Sequence, residues 1–194
     1  MKYISLTALV LSAMWSVAQK TKPTVTETPR LFDASTVNAI KFRSIGPALT
    51  SGRVSDLAIH PENKDMWYVA AASGGAWVTS NHGTTFSPIF DGYGSYSIAC
   101  IRLAPSNPKT VWIGTGENNN QRSVSYGDGV YKSIDGGKSF VNMGLKQSEH
   151  IGNIVIHPTN ENILWVAAYG PLWSAGGERG VYKSTDGGKT WTRT

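Results

Sequence analysis

Apolar and polar residues alternate in short runs along this chain, and the runs recur in a fixed order. Arg53 to Pro61, Ser97 to Pro105 and His150 to Pro158 each read as a short alternating strand ending in proline, followed by Asn63, Asn107 and Asn160. A second apolar run comes next in each copy, Met66 to Ala71, Thr110 to Thr115 and Ile163 to Ala168, with an aromatic at Tyr68, Trp112 and Trp165. Both runs have the β-branched and aromatic composition of strands packed on a pleated surface. A third strand passes through Trp77, Tyr131 or Tyr182, and a last one such as Ser139 to Met143 completes the unit. Four strands per repeat is the make-up of one propeller blade. The pattern therefore predicts an all-β fold: a β-propeller of four-stranded antiparallel blades, with about three blades present and the ring incomplete. The blades are expected over 52–95, 96–147 and 148–194.

Between the third and fourth strands lies the most strongly repeated string. Val181-Tyr182-Lys183-Ser184-Thr185-Asp186-Gly187-Gly188-Lys189-Thr190-Trp191 nearly duplicates Val130-Tyr131-Lys132-Ser133-Ile134-Asp135-Gly136-Gly137-Lys138-Ser139-Phe140, and Trp77 to Phe86 is a weaker third copy. Asn81, Asp135 and Asp186 hold one register and recur at intervals of about 50 residues, the size of a propeller blade. A short Asp or Asn side chain can accept backbone N–H bonds from residues just beyond it, and the following glycine supplies a positive φ for the turn. The closing aromatic, Phe86, Phe140 or Trp191, is expected to pack the turn onto its own blade. One carboxylate per turn is too few oxygen ligands for calcium. Asn81, Asp135 and Asp186 are therefore read as structural, since equivalent positions in every blade cannot all be one active site.

The ends of the chain bear on its location. Residues 1–18 carry Lys2, an apolar stretch from Tyr3 to Trp15, and Ser16-Val17-Ala18 before Gln19, the layout of a secretory signal peptide with small residues at its cleavage site. The stretch is short for a membrane span, so none is expected once the signal is removed. The product is expected to be secreted, periplasmic or on the outer cell surface. Residues 19–39, rich in Thr, Pro and Lys, read as a flexible linker, and 40–46 as a strand that closes a propeller ring. Three blades cannot close a ring and would leave long exposed edges. The pattern predicts the N-terminal piece of a longer protein whose remaining blades are partners of those present.

Charge and cysteine usage narrow the chemistry. The formal net charge of +5 includes Lys132, Lys138, Lys183 and Lys189, which recur on outer hairpins as solvated edge charges, so no nucleic-acid partner is expected. Cys100 is the only cysteine and sits in an apolar strand, which excludes an intrachain disulfide and makes a buried thiol the expectation. His60 and His157 share one slot before Pro61 and Pro158, whereas Arg53 and His150 share the starts of inner strands, within reach of a central channel. No close His, Cys or carboxylate spacing suggests a metal site, and no cofactor is implied.

The Ser-x-Asp-x-Gly-x-Thr-Trp string resembles the Asp-box, or BNR repeat, of sialidases, xyloglucan-degrading propeller glycosidases and the sortilin family, and the resemblance covers residues 40 to 194. Phe42 to Pro47, Ser51-Gly52-Arg53, Gly114 to Asn118 and Tyr126 to Ser133 look like the start of large secreted bacterial proteins with a sortilin-like propeller, often labelled BNR-repeat glycosyl hydrolases. The resemblance implies fold more strongly than chemistry. In the xyloglucan-degrading family a catalytic Asp ends the second strand of a blade; the matching residue here is Ala72, and the next repeats place Gly116 and Tyr169 there. A glycosidase ordinarily needs two carboxylates, so if the chain is part of an O-glycosyl hydrolase, most catalytic residues are in blades not present. Sialidases hold a substrate carboxylate with an Arg on the first strand, but Phe42-Arg43-Ser44-Ile45-Gly46-Pro47 departs from that motif by two inserted residues.

The loops between second and third strands are long at 117–128 and 170–179, and they share one rim with the links Asp91 to Tyr96 and Asn142 to Glu149. Long loops on one face of a repeat scaffold are where binding resides. Besides Arg53, they supply Glu117, Asn118, Asn119, Asn120, Gln121, Arg122, Tyr126 and Asp128, then Tyr169, Trp173, Glu178 and Arg179. Amides, aromatics and paired charges suit a glycan or peptide, with Tyr126, Tyr169 or Trp173 as stacking surfaces and Arg122 as a polar clamp. Glu117, Arg122 and Asp128 can equally serve to tie their own loop down. The sequence therefore points to an extracytoplasmic recognition module, with a glycosyl hydrolase and a structural scaffold as the other readings.

Overall fold

A computed structural model of the chain describes residues 52–119 and 124–194. The expected signal peptide, linker and ring-closing strand lie outside the described residues, as do Asn120, Gln121 and Arg122. The described residues fall within one compact unit, Ser44–Thr194.

The strands follow one another in plain sequence order. The first sheet contains β1 (Val54–Ile59), β2 (Trp67–Ala71), β3 (Gly75–Thr79) and β4 (Ser87–Pro88). The second contains β5 (Ile98–Ala104), β6 (Asn107–Thr115), β7 (Val130–Ser133) and β8 (Val141–Asn142). The third contains β9 (Ile151–Ile156), β10 (Leu164–Ala168), β11 (Gly180–Ser184) and β12 (Thr192–Arg193). All neighbouring strands pair antiparallel. The fold is thus all-β, three propeller-type blades whose ring is not closed. Every fourth strand is two residues long. β12 matches β4 and β8 in length. Short outer strands blunt the sheet edge, and Pro88 removes a donor from it.

Period-two alternation decides what each sheet buries. On the first sheet, Tyr68, Ala70 and Ala76 point toward the second, where they meet Ile98, Ile101, Val111, Ile113 and Tyr131. The opposite face of the second sheet turns Cys100, Ala104, Trp112 and Val130 toward Ile151, Ile154, Ile156, Leu164 and Val166 of the third. Being covered on both faces, the second sheet reads as continuous buried runs over 98–101 and 110–117 rather than as alternation. Phe90, Tyr93, Tyr131 and Phe140 form a mutual aromatic group between the first two sheets, with centroids 4.7 to 5.8 Å apart. Offset and edge-on pairs of this kind add to the area they bury.

The inner strands converge, β5 packing on β1 and β9 on β5. Polar side chains stitch them together. Arg102 on β5 donates to Asp56 of β1, and through Nη2 to Asn153 of β9 at 2.8 Å. Ser55 Oγ donates to the Ile98 carbonyl at 2.6 Å, and Ser97 Oγ to the Ala72 carbonyl at 2.6 Å.

The three repeated turns share one network. Asp135 Oδ1 accepts the Ser133 hydroxyl at 2.7 Å and the backbone N–H groups of Lys138 and Ser139, both at 3.0 Å. Its Oδ2 takes the Ser139 hydroxyl at 2.6 Å. Asp186 repeats this with Ser184 and Thr190, and Asn81 does so with Thr79 and Thr85, its amide donating to Thr85 Oγ1 at 2.9 Å. Two successive residues, not one, adopt positive φ: Gly136 and Gly137, Gly187 and Gly188, and His82 with Gly83. The first of each pair donates its N–H to the hairpin between the first two strands, at Asp65, Lys109 or Asn162.

One expectation needs correction. The closing aromatic packs against the preceding sheet rather than its own. Phe140 joins the cluster between the first two sheets and donates its N–H to the Tyr93 hydroxyl at 2.8 Å. Trp191 stands edge-on to Trp112 at 6.4 Å and donates to the Met143 carbonyl at 2.7 Å. Phe86 has no such sheet before it among the described residues, and it is exposed. The short fourth strand explains this, because it ends too soon to offer its own turn a surface.

Candidate functional site

At one end of the three sheets, the residues just before the inner strands meet the loop that follows β6. Glu117 sits at the centre of that junction and is 4% exposed. Its Oε1 accepts the Ser73 hydroxyl at 2.7 Å and its Oε2 faces Arg53 Nη2 at 3.3 Å, so both partners come from the first sheet. Its carbonyl oxygen lies 2.9 Å from His150 Nδ1, at the head of β9. One residue thus touches all three blades. Arg53 also donates to Asn119, and Asn118 Nδ2 reaches the Ala99 carbonyl at 3.4 Å.

The geometry fixes the histidine's tautomer. A carbonyl oxygen only accepts, so Nδ1 carries the proton and Nε2 is left as an acceptor. Burial is the main cause that pulls the His150 pKa below its ordinary value, which keeps the ring neutral. His150 is fully buried, yet its Nε2 has no hydrogen-bond partner among the described residues.

One tyrosine ring lies beside this imidazole, and a second tyrosine meets the His150 backbone. The Tyr126 ring lies 5.5 Å from it at an interplanar angle of 49° and is itself exposed. Tyr169 donates its backbone N–H to the His150 carbonyl at 2.8 Å, and its ring covers Gly152, where any Cβ would collide with it. Tyr169 is exposed as well. Tyr96, at the end of the rim link Asp91 to Tyr96, is exposed and its hydroxyl lies 3.2 Å from Ser125 Oγ.

Arg53, Glu117, Asn118 and Tyr126 are therefore brought together, and Tyr169 joins them only through its backbone N–H to the His150 carbonyl. The other candidates face elsewhere. Asp128 accepts the Tyr131 hydroxyl at 2.5 Å, and its N–H donates to Thr115 Oγ1 at 2.9 Å, which ties the loop to its own blade. Glu178 Oε2 accepts the Gln147 N–H at 2.8 Å, and Arg179 donates to the Pro171 and Ser174 carbonyls. Trp173 is exposed in the same loop, 170–179. His60 and His157 both accept backbone N–H groups from the turn after their proline.

Ser73 and His150 join this site without having been among the binding candidates. Equivalence between repeats offered a signal for His150, which occupies the slot of Arg53. Nothing in the sequence marks Ser73. Among the described residues no three His, Cys, Asp or Glu side chains are grouped to hold a metal ion. Likewise, no helix among them is long and apolar enough to cross a membrane.

No protein-family model and no curated protein sequence matches the chain. Solved structures do. The chain is similar to an ancestral GH74 enzyme, at 23% identity and a TM-score of 0.57, over 77% of this chain and 19% of that one. It is similar to the GH74 xyloglucanase from Xanthomonas campestris, at 18% identity and a TM-score of 0.55, over 74% of this chain and 21% of the other. YCF48 from Cyanidioschyzon merolae matches at 14% identity and a TM-score of 0.51, over 75% of this chain and 38% of that one. The chain spans a fifth or so of the length of the two GH74 proteins. At these identities the likeness establishes the propeller fold.

Proposed function

We propose that this chain is part of an extracytoplasmic recognition propeller, of sortilin-like Asp-box type, that binds a glycan or peptide on the loop-rich rim around Glu117. The observation that supports it is the convergence of Arg53, Asn119 and Tyr126 around the buried Glu117 and His150, with the exposed Tyr169 just past the next strand. Exposed aromatic faces beside a fixed polar floor suit a polar polymer, which needs flat apolar contact and a few placed hydrogen bonds. The floor is held from three blades at once, so the rings above it stand on a rigid base.

A glycosyl hydrolase is the second reading, because two of the similar structures are GH74 proteins. The rim carboxylates described here favour recognition instead. Glu117, Asp128 and Glu178 each accept hydrogen bonds from neighbouring residues, which suits anchoring rather than proton transfer to a ligand.

The test is binding and turnover of plant and host oligosaccharides and of a peptide library by the secreted chain. Replacing Tyr126 and Tyr169 together by alanine is expected to weaken binding about tenfold, given about 0.5–1.5 kcal/mol per stacked ring. The melting temperature should hardly move. Turnover of any oligosaccharide would replace recognition by hydrolysis; binding unaffected by the double substitution would move the site off this rim.

A further inference from the structure

We propose that His150 Nε2 is the buried acceptor of the rim site and that it accepts a hydrogen bond from a hydroxyl of a neutral sugar residue when the Tyr126 side chain moves aside. This deepens the rim-binding reading and rests on it.

Three observations carry the proposal. The first is the orphaned atom itself: a fully buried Nε2 without a partner among the described residues. Leaving a buried acceptor unsatisfied is costly, so such an atom calls for a donor. The second is the tautomer. With Nδ1 bound to the Glu117 carbonyl at 2.9 Å, Nε2 can only accept. The third is what lies beside the ring: the Tyr126 side chain next to the imidazole is 57% exposed, and no hydrogen bond holds its hydroxyl among the described residues. Such a side chain can change rotamer at little cost.

The surroundings select the donor. A carboxylate has no proton to give, and a lysine ammonium would have to sit near the Arg53 guanidinium. A sugar ring brings a hydroxyl donor and a flat C–H face together on one residue. That face suits the exposed Tyr126 ring in its displaced position, while Arg53 and Asn119, around Glu117, can serve the ring's remaining oxygens. Burial opposes protonation of His150, since a charge would be desolvated there, and so preserves the acceptor through neutral pH.

The probes are neutral gluco-, xylo- and galacto-oligosaccharides and their fully O-methylated derivatives, which keep the ring faces but cannot donate. Binding is measured by calorimetry with the full chain, and the ¹⁵N resonance of the His150 ring is followed in the unsubstituted protein. At least one native oligosaccharide is expected to bind and shift the Nε2 resonance, and its O-methylated form to bind about tenfold or more weakly. His150→Asn keeps an N–H for the Glu117 carbonyl but lacks Nε2, and should lose affinity to a similar degree.

Oligosaccharide binding that leaves the Nε2 resonance unmoved, or that survives O-methylation, overturns the proposal and leaves the rim reading standing. Binding of peptides alone does the same. Failure of every oligosaccharide and every peptide overturns both. The ¹⁵N measurement needs no substitution, so it decides the matter even if His150→Asn does not fold.

Discussion

Gly188 of the third repeated turn rests against the ring of Trp112 in the second sheet, so closely that a Cβ at that position would overlap the indole. Gly137 stands in the same relation to Tyr68 of the first sheet, with 3.4 Å between a Cβ built there and the ring. The ties around each glycine agree: the Tyr68 hydroxyl donates to the Gly136 carbonyl at 3.0 Å, and Lys132 Nζ to that of Gly187 at 3.2 Å. The repeated turn is therefore a clasp onto the preceding blade, and its second glycine is required for contact as well as for φ.

Gly188, second glycine of the third turn, and Gly136, first glycine of the second, should consequently differ in tolerance. Gly188→Ala combines φ of 90° with overlap against Trp112, and is expected to destabilise by about 2–4 kcal/mol. At Gly136 a Cβ would find nothing nearer than 3.7 Å, and His82 fills the same slot at φ 56° in the first turn. Gly136→Asn should cost no more than about 1 kcal/mol. Urea unfolding of the two variants checks the order.

The Glu117 junction gives a second expectation. Removing its carboxylate leaves the Ser73 hydroxyl and the Arg53 guanidinium short of an acceptor, and Glu117→Ala should destabilise by about 2–3 kcal/mol. Glu117→Gln keeps an acceptor for Ser73 and should cost roughly half as much. Arg53→Ala strands a buried carboxylate, so it should be nearer the alanine variant than an exposed arginine would suggest. Thermal melts of the three variants, each read as a separate midpoint, test the ranking.

Much of the fold was legible in the sequence, because each blade repeats the same strand spacing and the same turn. The alternation around Tyr68, Trp112 and Trp165 placed the second strands, and the turn register placed Asn81, Asp135 and Asp186. Contacts between repeats were less accessible. Phe140 and Trp191 were expected on their own blades because sequence neighbours usually pack together, yet the two-residue outer strands leave them only the sheet before. At the rim, Glu117, Arg53 and Tyr126 were readable as polar and aromatic loop residues. Ser73 was not, since a serine in a tight turn looks the same whether or not a buried carboxylate from the next blade reaches it at 2.7 Å. The engagement of Asp128, Glu178 and Arg179 with their own loops was equally hidden, because charge in a loop does not reveal its partner.

Cys100 yields a chemical prediction. It is 2% exposed, and burial pushes its thiol up to about 12. The thiolate is the reactive form, so at pH 8 the folded protein should resist iodoacetamide over hours, and denaturant should make labelling complete. Fast labelling of the folded chain would show that the interface between the second and third sheets opens readily, since Cys100 lies within it.

The repeated turns make acid stability depend on particular residues. Hydrogen bonds, led by the Ser139 hydroxyl on Asp135 and the Thr190 hydroxyl on Asp186, hold both carboxyls well below the usual carboxylate range. A folded-state pKa below the unfolded one contributes stability that is fully present above the unfolded value, about 3.9 for aspartate. That contribution is lost as pH falls from there toward the folded value. Asn81 makes the same turn with an amide, accepting the Thr85 N–H at 2.9 Å and donating to its hydroxyl at 2.9 Å, and it does not titrate. Replacing both aspartates by asparagine should therefore keep the turns while removing their share of the acid dependence. Melting temperatures measured from pH 7 down to pH 2 should fall less steeply below about pH 4 in the Asp135→Asn, Asp186→Asn variant than in the parent. If the two curves run parallel throughout, the turn carboxylates do not govern acid unfolding.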